Sequence, residues 1–331
     1  MIEPTDWTPS ASLEALRFRA DRLREIRRFF DERQVLEVET PVLGHGGSVD
    51  PLLDSLSLEA RGPKGVERLW LATSPEFHMK RLLAAGSGPI FQLARAFRDG
   101  ERGRRHNLEF TLLEWYRPGY GLELLREECV ELIERVIERP VQLRVHRYRQ
   151  LFRDALDIDP FDVGGDELAR LAGELAAVDC AGWERDDCLD LLFSHAIEPA
   201  LGADPGGPVA LLDAVVDYPA SQAALARKRL DPEDGAELAA RFELYWQGVE
   251  LANGYHELVD AGEQATRFVA DNAARRVRGK PEVDIDRALL AALDHGLPAC
   301  SGVALGVDRL LMLAAGETRI DAVIAFPFER C

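Results

Sequence analysis

"AFRDGERGRRHNLEFTLLEWY" (residues 96–116) joins an arginine-rich polar segment to an alternating apolar run. Strand alternation puts Phe110, Leu112, Glu114 and Tyr116 on one face and Thr111, Leu113 and Trp115 on the other. A carboxylate on a mostly apolar face is either a member of a hidden ion pair or a recognition group for a cation. Just upstream, "PIFQLARAF" (residues 89–97) has the same strand character, so residues 98–107 read as the loop of a hairpin. Arg98, Arg102, Arg104 and Arg105 in that loop offer guanidinium forks suited to phosphate; a solvated basic loop is the plainer alternative.

Two other segments carry chemistry. In "CSGVALGVDRLLMLAAG" (residues 300–316), Gly302, Ala304 and Gly306 share one strand face, leaving a smooth surface where a flat ligand can approach the backbone. Val303, Leu305 and Val307 pack on the other side, and Asp308 and Arg309 begin a helix. "GVELANGYHEL" (residues 248–258) holds Glu250 and Glu257 seven residues apart, an odd spacing that sends them to opposite faces of a regular strand. A bulge or turn at Asn253-Gly254 would bring both acids to one side, where they would suit Mg²⁺ beside phosphate oxygens. An exposed acid on each side of a hairpin is the bland alternative.

The rest of the chain frames these segments. Residues 10–34 read as an amphipathic helix with Leu16, Ala20, Leu23, Ile26 and Phe30 on one stripe, followed by a strand, "VLEVETP" (residues 35–41). Ser74-Pro75-Glu76 opens a helix carrying Met79, Leu82 and Leu83, since proline suits a first helical turn. Residues 121–139 and 264–278 read as further helices, and residues 143–201 as a mostly helical insertion without a motif. Strands return at "VALLDAVVDYP" (residues 209–219) and "RFELYWQGVELANGY" (residues 241–255). Strands with long excursions and hairpins among them predict an α+β fold around a mainly antiparallel sheet, in a single domain over residues 1–331.

Composition narrows the function classes. The 331 residues are 47% hydrophobic, enough for a substantial core, and no run of 18 apolar residues occurs. The first residues, MIEPTD, are polar and lack a signal-peptide pattern, and the five cysteines form no CxxC pair. A cytoplasmic protein without membrane contact is expected. The net charge of −18 disfavours broad binding to nucleic acid. Only Lys64, Lys80, Lys228 and Lys280 are lysines, so the basic charge is almost all arginine.

Together these segments resemble the signature motifs of class II aminoacyl-tRNA synthetases: the helix and strand ending at Pro41, the Arg98 loop with its strands, and "GVALGVDRL" with Arg309. "TSPEFHMKRLL", "FRDGERGRRHNLEF", "LLEWY" and "ELANGYHEL" resemble the lysine subclass. Lysyl-tRNA synthetases carry an anticodon-binding domain before the first motif, which here begins near residue 12, so no tRNA anticodon recognition is expected. A catalytic core of this length with "EWYRPGY" and "CSGVALGVDRL" is similar to the elongation factor P–(R)-β-lysine ligase family. That family activates (R)-β-lysine with ATP and transfers it to a lysine ε-amine of elongation factor P.

The resemblance implies roles residue by residue. Arg98 binds the α-phosphate, and Phe110 and Arg309 sandwich adenine; Arg98 and Arg309 are the catalytic pair. Asp99, Gly100, Glu101, Asn107, Glu250, Leu251 and Gly306 complete the ATP site. Glu250 and Glu257 hold Mg²⁺, and Ser74, Pro75, Glu76, Glu114, Tyr116, Asn253, Glu257 and Ala304 line the amino-acid pocket. Three acids there suit a diamino acid and repel an aspartate. A homodimer is implied, since the first motif forms the interface in this family. Three departures stand out: Asp99-Gly100 separates Arg98 from Glu101 where the family has one residue, Leu108 replaces a proline, and Ala304 replaces a glycine. The extra methyl of Ala304 would disfavour α-lysine. Another lysine-activating class II ligase, an aspartate–ammonia ligase and a non-catalytic regulatory module are the rival expectations.

Overall fold

A computed structural model describes residues 7–63, 65–204 and 206–331; the polar start of the chain and Lys64, noted above, lie outside the described residues. Helix α1 (Leu13–Asp31) leads to short strands β1 (Leu36–Glu37) and β2 (Leu43–Gly44), then β3 (Ser57–Gly62) and β4 (Gly65–Leu71). Helix α2 (Glu76–Ala84), β5 (Ile90–Phe97), β6 (Glu109–Pro118) and α3 (Leu122–Ile137) follow. Next come β7 (Val141–Arg147), α4 (Tyr148–Leu156), α5 (Gly165–Ala176), α6 (Arg185–Leu192), β8 (Ala210–Pro219), β9 (Lys228–Leu230), β10 (Glu237–Trp246) and β11 (Val249–His256). Helices α7 (Ala261–Val277) and α8 (Arg287–Gly296), strand β12 (Cys300–Gly306) and α9 (Val307–Ala314) complete the order.

The chain forms two compact units, the first from Met1–Tyr120, Arg135–Ile137 and Val259–Cys331, the second from Gly121–Glu134 and Glu138–Leu258. In the first unit β1 runs parallel to β5, β5 antiparallel to β6, and β6 antiparallel to β12; β2, β4 and β3 form a separate antiparallel ladder. In the second unit β7 runs parallel to β8, while β10 pairs antiparallel with β8, β9 and β11. The class is α+β with mostly antiparallel pairing, as expected from the sequence.

Helix α1 starts where Ser12 accepts a hydrogen bond from the Ala15 N–H at 3.1 Å, satisfying a donor that the helix itself leaves open. Ile26, Phe29 and Phe30 form its buried face. The Phe30 ring stacks on Phe91 at 4.4 Å and meets Trp115 edge-on at 5.4 Å. Truncating a buried phenylalanine such as Phe30 to alanine costs about 3–5 kcal/mol. On the same helix, Arg19 donates to Asp308 Oδ1 at 2.6 Å and to Thr111 Oγ1 at 2.8 Å, while Asp308 Oδ2 accepts the Thr111 N–H at 2.7 Å. One buried carboxylate thereby ties α1, β6 and α9 together.

Two expected boundaries move. The strand expected over residues 35–41 shortens to Leu36–Glu37, because the ladder with β5 pairs Leu36 and Glu37 and ends with the Val38 N–H. The segment expected to be helical from about residue 143 begins as the end of β7 and turns helical at Tyr148. Helices α4 to α6 are not separate from the strands of their unit: Tyr148, Phe152 and Leu189 share a core with Val215 and Tyr218 of β8 and Tyr245 of β10. The β10–β11 hairpin turns at Gln247 and Gly248, both at positive φ (53° and 63°), a backbone matched to the twist of its strands. No helix among the described residues is long and apolar enough to cross a membrane.

Candidate active-site residues

In the first unit, register places Tyr116 opposite Gly302, Glu114 opposite Ala304, and Leu112 opposite Gly306. Directly opposed residues share a sheet face, so the alternating row of β6 and the small-residue row of β12 lie side by side. Glu114 and Tyr116 are each only 2% exposed, and the Tyr116 hydroxyl donates to Glu114 Oε1 at 2.6 Å. On the other flank Gln92 of β5 stands opposite Glu114 and accepts from the Thr40 hydroxyl at 2.9 Å. The hidden carboxylate therefore sits on a polar strip between apolar neighbours.

Glu76 opens α2, with the Ser74 hydroxyl accepting its N–H at 3.4 Å and Pro75 at the cap position. Its carboxylate pairs with Lys80 at 2.6 Å, one helical turn on, and the Lys80 side chain is 2% exposed. A lysine buried this deeply needs a partner of opposite charge, so Glu76 is already committed. Of the three acids expected to meet a cationic ligand, Glu76 thus also holds a cation of the protein.

The arginine loop is arranged differently from a uniform phosphate grip. The Arg98 guanidinium lies 5.1 Å over the Phe110 ring and reaches Glu101 at 3.5 Å, and its Nε is buried with no hydrogen-bond partner among the described residues. Asp99 accepts the N–H of Gly100, whose φ of 77° permits the turn at the additional residue before Glu101. Arg309 donates from Nη2 to His106 Nε2 at 2.6 Å and from Nε to the Arg105 carbonyl at 3.4 Å. Burial first, then the Arg309 charge, push the His106 imidazole below its usual pKa, so near neutral pH it is an acceptor. Phe110 is thus met by Arg98, while Arg309 is engaged by His106.

Asn107, buried at 6% exposure, is committed to the protein itself. Its Nδ2 donates to the Glu109 carbonyl at 2.6 Å, and its Oδ1 accepts the Phe328 N–H at 3.0 Å. Arg102 lies 3.9 Å over the Phe328 ring, and Arg104 donates to the Thr318 carbonyl at 2.8 Å. These two arginines hold the last stretch of the chain, a role that residue type alone does not reveal.

In the second unit, β10 and β11 present Arg241 opposite Tyr255, Glu243 opposite Asn253, and Tyr245 opposite Glu250. The register slips between Leu244 and Tyr245, leaving Leu251 as an extra residue on β11. That bulge reverses the alternation and returns Glu250 to the face of Asn253 and Tyr255. The expected bulge exists, but at Leu251; Asn253 and Gly254 stay in the ladder. Glu257 lies just past the strand, 1% exposed, bridged to Ala226.

Sequence reasoning misses Glu243, although its place two residues before Tyr245 in "RFELYW" marks it as facing the same side. It accepts from the hydroxyls of Tyr218 and Tyr245 at 2.5 Å, from Asn253 Nδ2 at 3.4 Å, and from Arg241. Burial pushes the Glu243 carboxyl up, Arg241 opposes this, and the charge of Glu250 adds to the rise. Glu243 is thus a buried carboxylate already held by four donors, close enough to Glu250 to feel its charge. Among the described residues no group of three His, Cys, Asp or Glu side chains assembles that would cage a metal by itself.

The chain matches the family described as tRNA synthetases class II (D, K and N) over residues 5–162 and 212–330. It is 50% identical over 331 residues, 98% of this chain and 99% of the relative, to an elongation factor P–(R)-β-lysine ligase of Vibrio cholerae. The proteins of that name from Klebsiella pneumoniae (strain 342) and Pasteurella multocida are 48% and 46% identical, over 100% and 99% of both chains.

Proposed function

The chain belongs to the class II synthetases of the D, K and N type, and within them to the elongation factor P–(R)-β-lysine ligase family, and on that premise we propose that it is an ATP-dependent β-lysyltransferase acting on elongation factor P. The observation that carries this reading is the buried Glu114, bonded to Tyr116 and set in the row opposite Gly302, Ala304 and Gly306. A carboxylate beside a row of small residues is an acceptor that a ligand can approach closely, and the ammonium groups of a diamino acid complement its charge.

In the first step a carboxylate oxygen of β-lysine attacks the α-phosphorus of ATP; the bond from that phosphorus to the bridging oxygen breaks, and pyrophosphate leaves. Arg98, with its buried Nε donor, is assigned to the α-phosphate, where it stabilises the charge that develops on the phosphoryl oxygens. Phe110 and Arg309 are assigned to adenine, with Asp99, Gly100, Glu101 and Gly306 around the nucleotide, while Asn107, bonded within the protein through both amide atoms, shapes the loop. In the second step the ε-amine of the acceptor lysine attacks the acyl carbon, AMP leaves with the bonding pair, and the amine loses a proton. Positioning and charge stabilisation carry both steps, and no covalent nucleophile on the protein is required.

Mg²⁺ is assigned to Glu250. Glu257 is kept as the second carboxylate, since Glu243 already accepts from Tyr218, Tyr245, Asn253 and Arg241. Magnesium takes one or two carboxylates and fills its remaining positions from water and phosphate, and when bound it would offset charge on the ATP oxygens. In the first unit Ser74, Pro75 and the Glu76–Lys80 pair are assigned to amino-acid recognition, as are Asn253 and Glu257 in the second. The protein is proposed to work as a cytoplasmic homodimer.

The test is mass spectrometry of elongation factor P after incubation with enzyme, ATP and either α- or β-lysine. A lysyl adduct on one lysine side chain, formed faster with β-lysine, is expected. An adduct only on tRNA would overturn the acceptor assignment. Absence of any amino-acid-dependent ATP–pyrophosphate exchange would leave a regulatory module.

A further inference from the structure

The hairpin that bears the arginine loop closes that loop with bonds of its own. Among the described residues they include Arg102 N–H to the Gly100 carbonyl at 2.9 Å, a Gly103–His106 bridge at 3.2 and 3.4 Å, Arg98 N–H to the Leu108 carbonyl at 3.0 Å, Gly100 N–H to Asp99 Oδ1 at 2.9 Å and Asn107 Nδ2 to the Glu109 carbonyl at 2.6 Å. Further anchors come from the last residues of the chain, all within the first unit. The Ile320 N–H donates to the Arg104 carbonyl at 2.9 Å, and Arg104 Nε donates back to the Thr318 carbonyl at 2.8 Å. At Phe328, buried Asn107 takes the backbone N–H at 3.0 Å, and Arg102 covers the ring at 3.9 Å.

Phe328 is 41% exposed, so its ring is not kept for the core. The ring meets the Arg102 guanidinium, while the Phe328 backbone N–H donates to the Asn107 side chain. On the reading of the chain as an ATP-dependent ligase, on which this rests, we propose that residues 318–328 are a clamp that pre-sets the ATP-binding loop, with Phe328 as its positioning residue. A loop held in place from outside loses less freedom when triphosphate arrives, and so binds it more tightly. The clamp's contacts fall on Arg102, Arg104 and Asn107, so it acts on ATP affinity rather than on amino-acid choice.

The experiment compares wild type, F328A, F328Y and a C331S control. Calorimetric binding of MgATP without amino acid is measured, then amino-acid-dependent ATP–pyrophosphate exchange, then the rate of tryptic cleavage after Arg102, Arg104 and Arg105. F328A is expected to weaken ATP binding and raise KM for ATP about tenfold, while kcat and KM for β-lysine stay within about twofold. Loop cleavage in F328A should speed up by at least about fivefold. F328Y, which keeps the ring face, and C331S should match wild type. Should F328A fail to fold, F328L keeps apolar bulk without a ring face and carries the same measurements. Unchanged ATP binding and cleavage would overturn the clamp, as would parallel loss of every parameter with a fallen melting temperature. Wild type that binds MgATP but activates no β-lysine would instead overturn the ligase reading alone.

Discussion

Ala304 on β12 stands directly opposite Glu114 on β6, so the one methyl on the Gly302–Ala304–Gly306 row is placed beside the buried carboxylate. A methyl at that point takes space from whatever approaches Glu114. Replacing Ala304 with glycine should raise kcat/KM for α-lysine relative to β-lysine by about tenfold, the usual worth of one methyl group in a pocket. Competition kinetics in the pyrophosphate-exchange assay reads the ratio, and an unchanged ratio would remove Ala304 from substrate choice.

Asp308 should be the costliest single acid to lose from the first unit. Its side chain is 3% exposed, paired with Arg19 at 2.6 Å, and it also accepts the Thr111 N–H. Asp308→Ala leaves Arg19 and a buried N–H without that acceptor, and about 3–5 kcal/mol of stability should be lost. Urea denaturation would show this as a lower midpoint with an unchanged slope; a loss under about 1 kcal/mol would show that the pair is solvated.

His106 predicts a pH dependence. Burial and the Arg309 charge hold its folded-state pKa below its unfolded value, about 6.5. A depressed pKa favours the neutral ring in the fold, so its contribution is complete above about pH 6.5 and is lost as pH falls through the lower folded value. Below that value the imidazolium can no longer accept from Arg309. KM for ATP should therefore rise as pH is lowered from about 7 to about 5. H106Q, which retains an acceptor, should flatten that rise.

Asp190 predicts the opposite slope. Burial, helped by Asp186, raises its carboxyl to about 7, while Gln222 Nε2 donates to it at 2.9 Å. A raised pKa favours the protonated acid in the fold, so stability is greatest below its unfolded pKa and is lost as pH rises through about 7. Asp190→Asn keeps an acceptor for Gln222 and removes the charge. By scanning calorimetry the variant should melt roughly 2–5 °C higher than wild type at about pH 8 and close to it at about pH 5. Equal melting temperatures in the alkaline buffer would place Asp190 in water.

Much of the fold is legible in the chain because short-range periodicity carries it. The alternation of "EFTLLEWY", the small-residue row of "GVALG" and the stripe of α1 all appear in the structure. The extra residue on β11 does not show its place, because "GVELANGYHEL" has no local mark at Leu251. Only the register against β10 reveals it, and with it the reason that Glu250 joins the face of Asn253. Glu243 escapes sequence reasoning for a related reason: one acid in an apolar strand looks like another until its donors are brought to it.

The sequence by itself determined the α+β class, the hairpin with its arginine loop, and the placing of Glu114 beside Tyr116, since alternation and turn chemistry act over a few residues. Tertiary structure alone decided which charges were already spent. Arg19 finds Asp308 across 289 residues of chain, and Arg104 finds Thr318 across 214. Lys80 meets Glu76 only one helical turn away, yet burial is what makes that pairing obligatory. A carboxylate or guanidinium is recognisable from its residue type, but whether it is committed within the fold or left for a ligand depends on what long-range folding sets beside it.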